Sequence, residues 1–531
     1  MDWSSHQSLP AMRLESRFGD RVVDAFVDRP KSIWEMVEAA AARNPDGDAL
    51  ICGERRLRWR DVAPQAAQVA AGLRDKGLQR GDRIALLLGN RIEFVLSMFA
   101  AAHLGLVMVL LSTRQQKPEL TYVLADCGAK LLMHEAALVD RLPDPCDVPD
   151  LQHRIAVDDA ATASQFPGLA DWAPLQQAAD VGEEDTAMIL YTSGTTGRPK
   201  GAMLAHCNIV HSAMLFEACM QLTAADRSIA AVPLAHVTGV VANIMSMARC
   251  AGSLIILPEF KAAAFLRLAA SERITHSLMV PAMYNLCLLQ ADFASHDLSA
   301  WRIGAYGGAP MPIATIEKLA ATIPGLKLIN AYGATETTSP STMMLGELTA
   351  DHVDSVGLPC PGTRILVMDA EGRELPRGEI GEILIGGAQV IRGYWNNPKA
   401  TAESFTGGFW HSGDLGSIDA QNFVRVFDRQ KDMINRGGLK IYSAEVESVL
   451  ASHPAVVESA VLAKPCPVLG ERVHAVIVVS EEVTGEALRA FCAARLSDYK
   501  VPETVVLTTD ALPRNANGKV MKRQLREALS G

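Results

Sequence analysis

Apolar residues along this chain fall into two periods, and the alternation between them lays out its elements. Residues 63–76 carry apolar positions at helical spacing and stop before Gly77, which predicts a helix. After Asp82 and Arg83 comes the run Ile84-Ala85-Leu86-Leu87-Leu88, predicting a buried strand over 82–88, and residues 92–103 return to a helical pattern. Short apolar runs at 187–190, 254–257, 303–305 and 328–330 are further strand candidates, each feeding a polar or glycine-containing loop. Strands alternating with helices imply parallel sheets covered by helices, with ligands bound beyond the carboxyl ends of the strands. Residues 94–111 form an uncharged, mostly apolar run close to the length of a membrane span. His103 sits inside it and Gly105 divides it, so a buried helix and then a buried strand over 106–111 are expected. No integral membrane association follows.

The pattern changes near Asp428. Ser443 is placed to cap a helix through Leu450, with Glu445 in its first turn. Residues 456–462 and 473–479 alternate as strands, 487–496 are helical, and a last helix covers 521–529. Residues 1–30 mix charges and hydrophobes with no clear period and read as a lead-in segment. The expected organisation is α/β: a large N-terminal domain over 31–430, made of helix-covered sheets, and a smaller, mobile α+β C-terminal domain over 431–531. At 531 residues the chain is too long for one ordinary core.

Composition narrows the class. A formal net charge of −10 without a Lys/Arg block argues against a nucleic-acid surface. Ten cysteines contain no CxxC pair, which favours a reducing compartment over disulfides or zinc. No signal peptide or peroxisomal tripeptide is visible, so the cytoplasm is the expected location.

The chemistry concentrates in residues 191–201, YTSGTTGRPKG. Gly194, Gly197 and Gly201 allow backbone N–H groups to turn inward, Thr192, Ser193, Thr195 and Thr196 add hydroxyls, and Lys200 adds charge. Such a concavity suits a polyphosphate, although a plain flexible loop has the same composition. It lacks the Gly-Lys-Ser/Thr ending of a Walker loop. Four further segments follow in order: AYGATET at 331–337, HSGDLG at 411–416, DRQKDMINRGG at 428–438 and PRNANGK at 513–519. Together the five closely resemble the adenylate-forming superfamily of acyl-CoA synthetases, luciferases and adenylation domains, over roughly residues 30–531.

That resemblance implies ATP, Mg²⁺ and coenzyme A as cofactors and assigns roles. Glu336 would bind Mg²⁺, since a hard cation takes a carboxylate oxygen together with substrate phosphate. Thr335 would meet the α-phosphate, Tyr332 would stack on adenine, and Gly307, Gly308 and Ala309 would run along the edge of the base. Asp414, read as lying in a turn, would accept from the two ribose hydroxyls, at roughly 1.5–3 kcal/mol per charge-assisted bond. Arg429 would reach ribose or phosphate. Lys519 would be the catalytic lysine bridging the attacking carboxylate and the α-phosphate. Lys431 matches the family's hinge, and Gly437 with Gly438 matches the segment lining the pantetheine channel, with Lys440 a neighbour. Leu439 stands where Glu is frequent in the family.

The segment Pro233-Leu234-Ala235-His236-Val237-Thr238-Gly239 corresponds to the acyl-pocket motif, although His236 taken alone could equally be a core histidine. No aspartate is present there to hold an ammonium group, and Val237 replaces an asparagine used for 2-hydroxylated aryl acids, which disfavours both substrate types. Acetate-specific relatives carry tryptophan at the position of Gly333, so glycine should leave room for a bulkier acid. No basic residue adjoins the motif to hold a second carboxylate. The expected activity is carboxylate:CoA ligation through an acyl-AMP, on a medium- or long-chain fatty acid or a bulky alicyclic or aryl acid. Its partners would be small molecules, and a dimer is compatible with the resemblance. The alternatives are a stand-alone enzyme loading a carrier-protein thiol, a nucleotide-binding protein without turnover and, more remotely, an oxygen-dependent light emitter.

Overall fold

The computed structural model describes residues 1–157, 169–192, 198–514 and 520–530. The chain divides into two compact units. The first comprises Met1–Pro310, Leu319–Ile365 and Ile385–His411; the second comprises Met311–Lys318, Leu366–Leu384 and Ser412–Gly531.

In the first unit, six strands run parallel at the centre of a nine-stranded sheet, in the order Lys327–Tyr332, Ile303–Tyr306, His276–Met279, Arg227–Ala230, Ser253–Ile256, Asp48–Cys52. A six-stranded sheet runs Lys200–Ala205, Thr186–Thr192, Val107–Leu110, Arg83–Leu87, Ala129–Glu135, His153–Val157, parallel except for its first pair. Parallel strands are covered on both faces, so they read as unbroken apolar runs; every residue of Val107–Leu110 is buried. The helix Ile92–Leu104 is buried at every position from Ile92 to His103, because it is covered on all sides rather than on one stripe. Gly105, at φ +66°, ends it in the left-handed conformation and frees the chain for the next strand. Among the described residues no helix is long and apolar enough to cross a membrane.

The first thirty residues are more ordered than their pattern suggests. Met12–Arg17 and Arg21–Phe26 form an antiparallel hairpin. Charges on the hairpin and just after it lock onto the rest of the unit: Arg17 and Arg29 both bind Glu183, at 2.9 and 2.6 Å. The Arg29 guanidinium beside Glu15 holds that carboxyl down at about 2. Arg21 is buried and donates to the Ile391 carbonyl at 3.1 Å.

The second unit has its own sheet, in the order Leu439–Ile441, Ile434–Arg436, Gly470–Val479, Val456–Cys466, with Thr504–Thr508 pairing in parallel to Gly470–Val479. Strand alternation sends Val461, Val473, Ala475 and Ile477 to one face, against Val446 and Leu450 of Ser443–Ala451 and Leu488 of Gly485–Ala493. Ala460, Leu462, Val476 and Val478 face the other way, toward Leu512 and Leu525 of the last helix, Lys522–Ser530. The fold class is thus α/β with a large and a small unit. Asp414, Arg429 and Lys431 all lie within the small unit, whereas composition had put the break at 430/431. Ser443 is not the cap of its helix. Tyr442 holds that position, and Ser443 N–H and Oγ both donate to Asp428 instead.

Candidate active site

Strand Thr186–Thr192 pairs antiparallel with Lys200–Ala205, placing Thr192 opposite Lys200 at the mouth of the hairpin. Ser193, Gly194, Thr195, Thr196 and Gly197, expected to line the phosphate cradle, lie outside the described residues. The shoulders of that hairpin are fixed. Tyr122 donates to the Pro199 carbonyl at 3.2 Å, Tyr191 donates to Asp126, and Trp395 N–H donates to the Gly201 carbonyl at 2.7 Å.

Glu336 meets this hairpin from the other sheet. It sits in a single 3₁₀ turn, Thr335–Thr337, just beyond strand Lys327–Tyr332, and is 8% exposed. Its Oε1 accepts from Thr192 Oγ1 at 3.2 Å and from the Tyr394 hydroxyl at 3.0 Å, and its carbonyl accepts from Ile391 N–H at 3.0 Å. Burial, reinforced by the Glu336 charge, raises the Tyr394 phenol above its ordinary value, so it stays a donor. Lys200 Nζ stands 5.1 Å from the centre of the Tyr394 ring. Among the described residues no lysine or arginine forms an ion pair with Glu336, and no group of three potential metal ligands exists. A buried carboxylate held by hydroxyls but not neutralised by a cation suits Mg²⁺ that takes its remaining ligands from phosphate and water. Tyr394 was not among the residues expected here. It lies 58 positions from Glu336, and no local spacing links them.

Strand Ile303–Tyr306 is the neighbour of Lys327–Tyr332, so Gly307, Gly308 and Ala309 leave the sheet beside Tyr332 and Thr335. A Cβ on Gly307 would fall 2.4 Å from the Ala331 carbonyl oxygen, and Gly308 has φ +78°; neither position admits a side chain comfortably. Gly308 and Ala309 are exposed, while Tyr332 and Thr335 are half-buried. A Cβ on Gly333 would stand 3.2–3.3 Å from the backbone of Ser339–Ser341. Glycine at 333 therefore also answers a packing demand from the returning chain.

His236 lies on the loop after strand Arg227–Ala230. Asn90 fixes that loop: its Oδ1 accepts from Leu234 N–H at 2.8 Å, and its Nδ2 donates to the Val232 carbonyl at 3.0 Å. His236 Nδ1 accepts from Thr238 N–H at 3.3 Å and lies 3.2 Å from Thr238 Oγ1, and burial lowers its pKa, which favours the neutral ring. Asn90 escaped the sequence reading because a single asparagine after a strand resembles turn chemistry.

The second unit carries the remaining candidates. Asp414 is buried in the middle of strand Phe409–Ile418, not in a turn. Its partner across the ladder is Arg429, whose Nε lies 2.6 Å from Asp414 Oδ1. The Gly413 and Gly416 that suggested a turn serve a strand instead. Gly413 has φ +66°, and a Cβ on Gly416 would strike the Arg425 carbonyl at 2.2 Å, beside the bulge between Leu415 and Gly416. Lys431 and Lys440 are exposed, as is Leu439. Gly437 and Gly438 form the two-residue loop of the hairpin pairing Arg436 with Leu439, at φ +60° and +92°, the type I′ geometry. Lys519 lies outside the described residues. Just beyond it, Met521 N–H donates to the Pro513 carbonyl at 2.7 Å, and Lys522 Nζ reaches Ser443 Oγ and Glu447 Oε1, both at 2.7 Å.

Comparison with known proteins decides the family. The AMP-binding enzyme model matches residues 37–395, and the model of the AMP-binding enzyme C-terminal domain matches residues 445–519. This chain belongs to the AMP-binding enzyme family. It is 34% identical over 491 residues to a feruloyl-CoA synthase of an Amycolatopsis species, covering 92% of this chain and 96% of that one. It is 33% identical over 506 residues to the long-chain-fatty-acid–CoA ligase FadD13 of Mycobacterium tuberculosis, covering 94% and 99%. Among solved structures, the anthranilate CoA ligase AuaEII in complex with anthranoyl-AMP matches with a TM-score of 0.86 at 27% identity, covering 94% of this chain and 97% of that one. The AMP-binding enzyme described here is accordingly an AMP-forming acid–thiol ligase that uses ATP, Mg²⁺ and coenzyme A.

Proposed function

We propose that this enzyme joins a bulky apolar monocarboxylic acid, a medium- or long-chain fatty acid or an alicyclic or aryl acid, to coenzyme A. The observation that carries the reading is the buried Glu336 carboxylate, without a cationic partner among the described residues, beside the mouth of the 192–200 hairpin. In the first step a carboxylate oxygen of the acid attacks the α-phosphorus of ATP and pyrophosphate leaves. The acid is already ionised near neutral pH, so no general base is needed. In the second step the thiol sulfur of coenzyme A attacks the acyl carbon, AMP leaves and the thiol proton passes to solvent.

Each residue has a share in this. Thr192, Lys200 and the 193–197 segment cradle the phosphates, and Thr335 meets the α-phosphate. Tyr332 and the Gly307–Gly308–Ala309 strip hold adenine, while Asp414 and Arg429 hold ribose. Glu336 would hold Mg²⁺, which would supply positive charge against the phosphate oxygens. Lys519 offsets the charge that grows between carboxylate and α-phosphate. Lys431 serves as the hinge between the two half-reactions, after which Gly437 and Gly438 flank the pantetheine arm. The acid class is supported by three features: a neutral His236, the lack of a charged group in the 233–239 motif, and relatives named for feruloyl and long-chain fatty acids.

The test is acid-dependent exchange of labelled pyrophosphate into ATP, across fatty acids from C2 to C18 with benzoate and cyclohexanecarboxylate, followed by thioester formation with free CoA. Exchange should favour the larger acids and thioester should follow. Activity confined to acetate contradicts the acid class. Exchange without thioester formation assigns the acyl group to a carrier-protein thiol instead.

A further inference from the structure

The residues that follow His236 do not form an ordinary helix. Thr238–Met245 is π-helical, a geometry whose i→i+5 bonds enclose one residue more than those of the α-helix and which is frequent at functional sites. Gly239 allows it to start, since a Cβ there would collide with the Pro233 carbonyl at 2.2 Å. A side chain inside the segment spans it. Asn243 Nδ2 donates to the Thr238 carbonyl at 3.2 Å, and Asn243 Oδ1 accepts from Ser228 Oγ at 3.2 Å. Ser228 lies in strand Arg227–Ala230 of the central sheet, and its Oγ is 2.9 Å from His276 Nδ1 on the adjacent strand. Ser228 and Asn243 are fully buried.

Donor and acceptor counts fix the direction of this chain. Ser228 has one proton and gives it to Asn243, so His276 must donate from Nδ1 to Ser228. Asn243 in turn donates to the Thr238 carbonyl. The same residue, Thr238, donates its N–H to His236 Nδ1 at 3.3 Å, and its Oγ1 lies 3.2 Å from that nitrogen. Contacts thus run from the sheet through Asn243 and Thr238 to the histidine of the 233–239 motif.

We propose that Asn243 is a positioning residue for acid binding: it clamps the π-turn to the sheet and, through Thr238, fixes the orientation of His236. This rests on the reading of the 233–239 motif as the acid-binding wall. Relaxation of the extra residue into α-helical register would rotate the segment and move His236 with it.

The experiment compares Asn243→Leu, Asn243→Ser and His236→Gln. Each variant is first checked for a cooperative melt and for AMP binding by calorimetry; Asn243→Ser, smaller and still polar, stands in if Asn243→Leu does not fold. Both Asn243 variants should raise the KM for the acid by about tenfold or more while leaving the KM for ATP within about twofold. In ¹⁵N-histidine spectra, the His236 signal, assigned by its loss in His236→Gln, should shift in both Asn243 variants from its position in the unsubstituted enzyme. An unchanged acid KM or an unchanged His236 signal in a folded Asn243 variant overturns the proposal alone if His236→Gln still raises the acid KM. If His236→Gln leaves the acid KM unchanged, the reading of the acid-binding wall falls and the proposal falls with it.

Discussion

Glu336 has two hydroxyl groups on a single carboxylate oxygen, from Thr192 and Tyr394. Each bond to a charged group contributes about 1.5–3 kcal/mol, and together they hold the carboxylate in one rotamer before any cation arrives. Tyr394→Phe should therefore raise the Mg²⁺ concentration for half-maximal adenylation by about tenfold, with a smaller change at saturating Mg²⁺. A magnesium titration of pyrophosphate exchange reads this directly. The carboxylate itself was legible in the sequence, because a motif carries it; the tyrosine was not, because only the fold brings it there. A second residue-scale effect concerns buried imidazoles. His211 packs on Phe26 with ring centres 4.9 Å apart, has no hydrogen-bond partner among the described residues, and is pushed down by burial to about 3. Its folded value lies below the unfolded one, so it costs nothing above about pH 6.5 and removes stability as the pH falls from there toward 3. His211→Met should cut the stability lost between pH 7 and pH 5 by about 2 kcal/mol, read from urea unfolding at the two pH values. An unchanged loss would show that His211 is not neutral in the folded protein.

At the scale of elements, legibility follows how local the cause is. The helix Ile92–Leu104 and the strand after it were readable because Gly105 punctuates an otherwise continuous apolar run. The hairpin over Met12–Phe26 was not. Val23 and Ala25 are buried on alternate positions, but Leu14 and Val22 are 68% and 60% exposed, so apolar residues do not mark the buried face, and the hairpin is held by Glu183, far along the chain. Asp414 was misplaced for a related reason: glycines that usually mark turns here accommodate a bulge and a close backbone contact. The Gly437–Gly438 loop offers a clean element-scale test. Gly437→Asn should keep the type I′ turn, whereas Gly437→Val, at φ +60°, should cost about 1–2 kcal/mol locally. If this hairpin borders the pantetheine arm, Gly437→Val will raise the KM for coenzyme A and leave pyrophosphate exchange intact. Equal effects on both half-reactions would remove the hairpin from that role.

At the scale of the whole molecule, the AMP-binding enzyme model covers residues 37–395 and its C-terminal companion 445–519, whereas the compact units divide the chain differently, with Met311–Lys318 and Leu366–Leu384 in the smaller one. The family was legible from the five motifs, and the change of pattern near Asp428 falls inside the smaller unit. Its limits were not legible, because Leu366–Leu384 and Ser412–Gly531 belong to one compact unit although far apart in sequence. In the proposed cycle the small unit supplies Lys519 for adenylation only. The most direct measurement is the Lys519→Ala variant assayed in both half-reactions, pyrophosphate exchange and CoA transfer from supplied acyl-AMP. The account predicts a loss on the order of 10²–10³ in the first and near wild-type rates in the second. Equal loss in both half-reactions, or full adenylation without the lysine, would contradict it.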